Sequence, residues 1–375
     1  MPGSARSSGR RLARIAGIDV VFDASWLIIL VLIGVTLAEY FARLNRAWPM
    51  AVVIAAATVT TLLFFGSVVL HELAHSLVAR GHGLPVHTIT LFVFGGVSEL
   101  TREPDDAATE FKIAIAGPLT SIVTGAVCVG LGRLGANSQP VFAVLNWLGY
   151  INLLLAGFNL IPGFPLDGGR VLRAILWSAN KDFVKSTRWA TNVGKLCAMG
   201  FILLGVMEFF AGAALSGLWL AFIGWFLLSA AQQSWRQTEI QTALERFTVS
   251  DLETPFFARV PPETNLEVFI SDLAAHNNFR ASLVMDADDH LLGIITPADL
   301  SRVPREHWGT TLVRDVMVPR ERMATVEPAE GLHAALRKMA ESDVGQLPVL
   351  NNGGVRGVIR RDRIIELLHS QLRQP

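Results

Sequence analysis

The pattern of apolar and polar positions divides the chain into two regimes. Up to about residue 235, apolar residues run in long blocks, each near the roughly 20 residues that a helix needs to cross the hydrocarbon of a bilayer. These blocks fall at Ala24–Ala42, Ala51–Leu70, Ala107–Gly132, Val141–Ile161, Gly194–Gly212 and Gly217–Trp235, and they predict six spanning helices. Between the second and third, Val86–Glu99 is rich in β-formers and contains Gly95-Gly96. A small β hairpin is expected there, folded against protein beside a wet cavity, because an open strand cannot face lipid. Its edge suits strand addition by an unwound peptide; a hairpin lying at the interface without touching substrate is the alternative.

Beyond Trp235 the apolar runs shorten, charges become frequent, and Pro and Gly punctuate the chain. Two segments, residues 248–303 and 311–371, read as one α/β unit repeated. Each has an amphipathic helix (Leu266–His276; Leu332–Glu341) followed by a strand pair. The pairs are Ala281–Met285 with Leu291–Ile295, and Gln346–Leu350 with Val355–Ile359. Turn residues between the strands supply the hairpin chemistry. The fold class that follows is a polytopic α-helical membrane domain over residues 1–235, then a cytosolic α/β pair.

Composition agrees with this division. Residues of the hydrophobic class make up 51% and charged residues 17%, an excess that needs lipid to cover it. Acidic and basic residues balance at 32 each, so no basic field argues for nucleic acid. Cys128 and Cys197 sit in apolar runs and imply no disulfide. Arg6, Arg10, Arg11 and Arg14 imitate the start of a signal peptide, but no cleavage site follows, and the first apolar run reads as a retained anchor. Basic residues cluster at this N-terminus and between the fourth and fifth spans (Arg170, Arg173, Lys181, Lys185, Arg188, Lys195). By the positive-inside rule both termini are then cytosolic, with Arg43 and Arg46 dissenting, in a multi-pass protein of the cell membrane.

The chemistry concentrates at His71-Glu72-Leu73-Ala74-His75, at the predicted end of the second span. Residues four apart share a helix face, so both imidazoles reach one metal while Glu72 lies beside it, placed to activate a bound water. A satisfied pair of interfacial histidines is the bland reading. A catalytic zinc needs a third protein ligand and an open position, and Asp167, after Pro162 and Pro165 and before Gly168-Gly169, is the candidate. The second and fourth spans both run inward, which brings Asp167 to the depth of His71 and His75; an N-cap for the helix that follows is the alternative. Asn152 and Asn159 share a face and should point into the protein. Asn159 is positioned to hydrogen-bond a scissile peptide or its oxyanion, or serves as helix–helix glue. Gly117-Pro118 reads as a packing kink, His82 and His87 as loop residues rather than ligands, and Glu208 as wetted near an outer end.

At these residues the chain resembles the site-2 protease family of intramembrane zinc metalloproteases. The likeness is carried by His71–His75, Phe94-Gly95-Gly96, Ala116-Gly117-Pro118 and Asn159–Arg170 and covers about the first 235 residues. It implies one Zn2+ held by His71, His75 and Asp167, Glu72 as catalytic acid/base, and Asn159 contacting substrate or transition state. It also implies regulated intramembrane proteolysis of single-span membrane proteins such as tethered transcription regulators or anti-sigma factors. The C-terminal repeat resembles a pair of CBS domains. In that resemblance Gly293–Asp299 holds an adenine nucleotide, with Thr296 facing phosphate and Asp299 the ribose. The second copy has Arg360 and Arg363 at the matching positions, and a purely dimerising role, giving a homodimer, stands beside the nucleotide reading. Two other classes of function remain open to the sequence: a CBS-gated membrane transporter and a non-proteolytic membrane scaffold. Neither needs a glutamate between two imidazoles.

Overall fold

The computed structural model describes residues 10–92, 95–100, 103–134, 138–255, 258–274, 281–351 and 353–372. Arg6, Phe94 and the predicted helix end at His276 lie outside these. The chain forms two compact units, one ending at Thr238 and the other starting at Glu239.

The first unit opens with a hairpin, β1 (Arg10–Ile15) and β2 (Ile18–Phe22). It turns at Ala16 and Gly17, whose φ values of 50° and 80° suit a two-residue loop. Asp23 then caps α1 (Ala24–Leu44) by accepting from the Ser25 N–H at 2.9 Å. The second helix, α2 (Met50–Gly81), leads into β3 (Val86–Phe92) and β4 (Gly95–Leu100). Next come α3 (Ala107–Leu134), α4 (Gln139–Asn159), α5 (Asp167–Asn180), α6 (Phe183–Phe210) and α7 (Ala214–Glu245). Among the described residues six of these helices, all but α5, are long and apolar enough to cross a membrane.

One expectation changes. The N-terminal hairpin was not anticipated, and it extends the predicted two-stranded hairpin to a four-stranded sheet in the order β1-β2-β3-β4. β2 pairs parallel with β3 in the register Asp19↔Thr88 to Phe22↔Leu91. The second helix runs on through His71, His75 and Ser76, which face protein and are buried, as the helical spacing of the two histidines requires; hydropathy marks lipid contact rather than the end of a helix.

The helices meet as helices in lipid do, through small residues that let backbones approach. A Cβ added to Gly149 of α4 would lie 2.5 Å from Val129 of α3, and one added to Gly205 of α6 would lie 2.5 Å from the Ala221 N of α7. One core cluster joins Leu37 and Phe41 of α1, Val53 and Ala57 of α2, and Val144 and Leu148 of α4. Another seats the sheet on α1 and α2 through Ile18, Val20, Ile89 and Leu91 against Trp26, Phe65 and Leu73.

The second unit is built from β5 (Ala258–Val260), α8 (Leu266–Ala274), β6 (Ser282–Met285), β7 (Leu291–Ile295), α9 (Pro297–Leu300), α10 (Val313–Val316) and β8 (Val318–Pro319). These are followed by α11 (Leu332–Glu341), β9 (Gln346–Asn351), β10 (Gly354–Arg360) and α12 (Arg361–Leu372). Both strand pairs of the repeat are antiparallel hairpins. The halves exchange strands: Val318, opening the second half, pairs with Ile294, and Thr254, opening the first, bridges to Val358. Equivalent glycines receive the visitor. A Cβ on Gly293 would lie 2.4 Å from the Val318 carbonyl oxygen, and one on Gly357 would lie 2.7 Å from that of Thr254. Leu244 and Ile240, at the end of α7, pack into the core of Val249, Leu332, Met339 and Val349.

Candidate metal centre

One face of α2 carries His71 and His75, buried at 4% and 5% exposure. Asp167 arrives from α5, where it is the first helical residue after Leu166 at the N-cap position. Its side chain does not cap that helix; it faces the imidazoles instead. Asp167 Oδ2 lies 3.1 Å from His71 Nε2 and 3.2 Å from His75 Nε2, and the two Nε2 atoms are 3.2 Å apart. A tetrahedron with bonds of about 2.0–2.1 Å has an edge of about 3.3 Å, so this triangle of atoms has the size that zinc requires.

The far sides of the rings fix what the near sides offer. His75 Nδ1 donates to the Ile113 carbonyl at 2.6 Å, which accepts only, so the neutral ring presents a lone pair at Nε2. His71 Nδ1 is held by Ser121 Oγ at 2.9 Å. A ring lone pair and a carboxylate oxygen converge on one point, and acceptors brought that close fit a cation between them. Both anchoring groups come from α3, and Gly117 lies between them. A Cβ there would stand 2.2 Å from His75 Nε2 and 2.6 Å from His71 Nε2. Gly117 is therefore part of this centre and not merely the packing kink expected of Gly117-Pro118.

Glu72 is turned toward the sheet, where Gly96 of β4 leaves room: a Cβ on Gly96 would be 2.6 Å from Glu72 Cγ. Other glycines set the approach of Asp167. A Cβ on Gly168 would meet the Ile161 carbonyl at 2.3 Å, and one on Gly163 would meet the Cα of Gly194 in α6 at 2.3 Å. The turn carrying the aspartate is thus docked backbone to backbone, with Phe164 N–H donating to the Ala190 carbonyl at 3.4 Å.

Asn159 closes α4, half-buried, and its amide is not hydrogen-bonded to the two histidines or Asp167. Asn152 is buried and donates to the Leu148 carbonyl of its own helix at 2.9 Å. His82 bonds the Val78 carbonyl, His87 is exposed, and neither joins the cluster. Glu208 is exposed and accepts from Ser216 at 2.8 Å. In the second unit Thr296 and Asp299 line a cavity of about 500 Å³ together with Arg302, Arg322 and Asp343. Thr296 N–H and hydroxyl both donate to Asp299 Oδ2, at 2.9 and 2.6 Å, a capping box at the start of α9. In the second copy Arg360 pairs with Asp362 at 2.6 Å. Asp286, Asp288 and His290 also converge, on the exposed β6–β7 turn; the Asp288 and His290 N–H groups donate to Asp286 Oδ1, which makes this an ordinary Asx-type turn.

Missed by the sequence reading were Ile113 and Ser121, and Gly96 was read only as part of the Phe94-Gly95-Gly96 motif. Ile113, Gly117 and Ser121 are spaced by four along α3, which sets them on one face, and that spacing was the available signal.

Residues 59–135 and 132–201 match the model of peptidase family M50. A provisionally named zinc metalloprotease of Synechocystis, sll0528, is 33% identical over 98% of this chain and 97% of its own length. The chain belongs to peptidase family M50. Another relative, zinc metalloprotease MJ0392 of Methanocaldococcus jannaschii, is 32% identical over 96% of this chain and 95% of its own length. The solved site-2 protease from the same organism is 34% identical, covering 60% of this chain and 95% of its own, at a TM-score of 0.43. Residues 249–306 and 313–370 match the CBS domain model. This M50 peptidase is thus a multi-pass membrane zinc metalloprotease of the site-2 type with a C-terminal CBS pair.

Proposed function

We propose that His71, His75 and Asp167 hold the zinc ion of this peptidase, and that Glu72 is its proton carrier in cleaving single-span membrane proteins. The observation that carries the assignment is the 3.1–3.2 Å triangle of Nε2, Nε2 and Oδ2 atoms, with the opposite ring nitrogens held by Ser121 and Ile113. Zinc bound there would supply a Lewis acid that lowers the pKa of water and polarises a peptide carbonyl. Glu72 accepts a proton from the attacking water as its oxygen bonds to the carbonyl carbon. It then delivers that proton to the amide nitrogen as the C–N bond breaks. The amide of Asn159, not engaged by the zinc-binding side chains, serves the substrate carbonyl or its oxyanion.

β4 closes one side of the sheet, with no strand beyond it among the described residues, and its Gly96 borders Glu72. An unwound substrate segment adds to that edge as a further strand. The activity is regulated intramembrane proteolysis of tethered regulators such as anti-sigma factors, carried out in the plasma membrane with both termini cytosolic. The protease domain spans residues 1–235 and the CBS domains span 248–303 and 311–371. The cavity beside Thr296 and Asp299 takes an adenine nucleotide in the first CBS copy, and the CBS pair joins two chains in a homodimer.

Glu72→Gln tests the central assignment: cleavage of a tethered reporter falls by at least about a thousandfold, zinc content is unchanged, and uncut clients accumulate in the membrane. Retained cleavage removes Glu72 from its role.

A further inference from the structure

The zinc site explains His71, His75 and Asp167, but not the charges buried beside them. Glu110, in the first turn of α3, is fully buried, and Arg173 of α5 is 3% exposed. The Arg173 guanidinium donates to Glu110 Oε1 through Nε, at 2.7 Å, and also through Nη2. Nη2 reaches Glu103 as well, at 3.1 Å. The guanidinium carbon stands 5.0 Å from the ring of Phe164 and 4.6 Å from that of Phe183.

Three of these four partners, all but Glu103, belong to segments that set the metal centre. Glu110 is one turn before Ile113, whose carbonyl orients His75. Phe164 belongs to the turn that delivers Asp167. Phe183 opens α6, on which that turn is docked. Arg173 itself follows Asp167 by six residues on α5. One rigid, planar cation therefore ties the helix orienting a histidine to the turn and helix presenting the carboxylate.

A buried ion pair is poor evidence of stabilisation, since desolvation offsets most of the attraction and a well-packed apolar pair often replaces it without loss. What an apolar pair lacks is the fixed fork of the guanidinium. Resting on the assignment of Asp167 as a zinc ligand, we propose that the Glu110–Arg173 pair is a positioning device that fixes the Asp167 carboxylate against His71 and His75.

The test compares full-length protein in detergent carrying Arg173→Lys, Glu110→Gln, or the apolar double substitution Glu110→Leu/Arg173→Met. Zinc affinity is measured by competition with a chelator, ligand geometry by the visible spectrum of the cobalt-substituted protein, and stability by thermal unfolding of the zinc-free form. The double variant is expected to unfold near the wild-type temperature yet bind zinc about 10–100-fold more weakly, with an altered cobalt spectrum. Arg173→Lys, which keeps the charge and loses the fork, gives the same direction and carries the test if the double variant does not fold. Wild-type zinc affinity and cobalt spectrum in a folded variant overturn the proposal. Asp167→Ala is the separating arm: if it leaves zinc affinity unchanged, the ligand assignment itself falls, whereas a loss there with no effect at Arg173 sinks only the positioning role.

Discussion

Gly117 makes the most demanding test of the metal centre, because what it contributes is the absence of a side chain. Gly117→Ala would set a methyl carbon 2.2 Å from His75 Nε2, 2.6 Å from His71 Nε2 and 2.7 Å from His75 Cε1. Neither ring has room to retreat, since His71 is held at Nδ1 by Ser121 and His75 by the Ile113 carbonyl. Overpacking of this kind costs about 1–3 kcal/mol. If that strain falls on the zinc-binding geometry alone, it weakens zinc by about 5- to 150-fold at 1.4 kcal/mol per tenfold. The figure is a floor, because the methyl also enters the space between the ligand atoms. Gly130→Ala, on the same helix with nothing within 4 Å of the added carbon, is the matched control and should gain about 0.5–1 kcal/mol of helix stability. Zinc per chain is measured on both purified variants, together with reporter cleavage. A Gly117→Ala protein that binds zinc as the control does and cuts at its rate would refute the placement of this glycine, and with it the described geometry.

Three further outcomes follow from neighbouring features. Gly96→Ala brings its methyl against Glu72 Cγ at 2.6 Å, a flexible side chain that shifts rather than clashes, so kcat should fall about 10–100-fold while zinc content holds; a parallel loss of zinc would contradict it. Gly194→Ala places a carbon 2.2 Å from the Phe164 carbonyl oxygen, a backbone atom that cannot rotate away, and displacement of the Asp167 turn should lower both zinc affinity and turnover; an unchanged zinc affinity counts against the docking. In the second unit the Thr248 N–H, then its hydroxyl, hold the Asp251 carboxyl below its usual value. A depressed aspartate contributes stability above its unfolded pKa of about 3.9 and loses it as pH falls through the folded value. Calorimetry of the full chain should therefore show the CBS transition level near neutrality and dropping in acid, with a shallower drop in Asp251→Asn.

Legibility in the sequence tracked how local each cause is. Six spans were readable because lipid demands about 20 apolar residues at a stretch, and Leu332–Glu341 was located to the residue because an amphipathic stripe marks its own ends. His71, Glu72 and His75 declare themselves through helical spacing alone. Asp167, 92 residues after His75, was reachable by matching the direction of two spans, and its Oδ2 lies 3.2 Å from His75 Nε2. The partners on α3 were not reachable in this way. Ile113 acts through a backbone carbonyl, which no side chain advertises, and Gly117 acts by leaving space, which a single sequence reads as flexibility or packing. The β1–β2 hairpin escaped because Arg10–Ile15 is half arginine and too short for an alternating pattern to stand out; its register depends on β3, 69 residues later in the pairing Val21↔Thr90.

That parallel pairing of β2 with β3 bears on how the enzyme is born. β2 precedes α1 and β3 follows α2, so the two strands meet only after the chain has crossed the bilayer and returned. β4, which borders Glu72, is laid down on β3. During insertion the nascent chain thus holds its two histidines before it holds a finished shelf beside them, and Asp167 emerges later still. The three side chains can meet only once α1 to α4 have been made, so no shorter nascent chain holds the complete cluster.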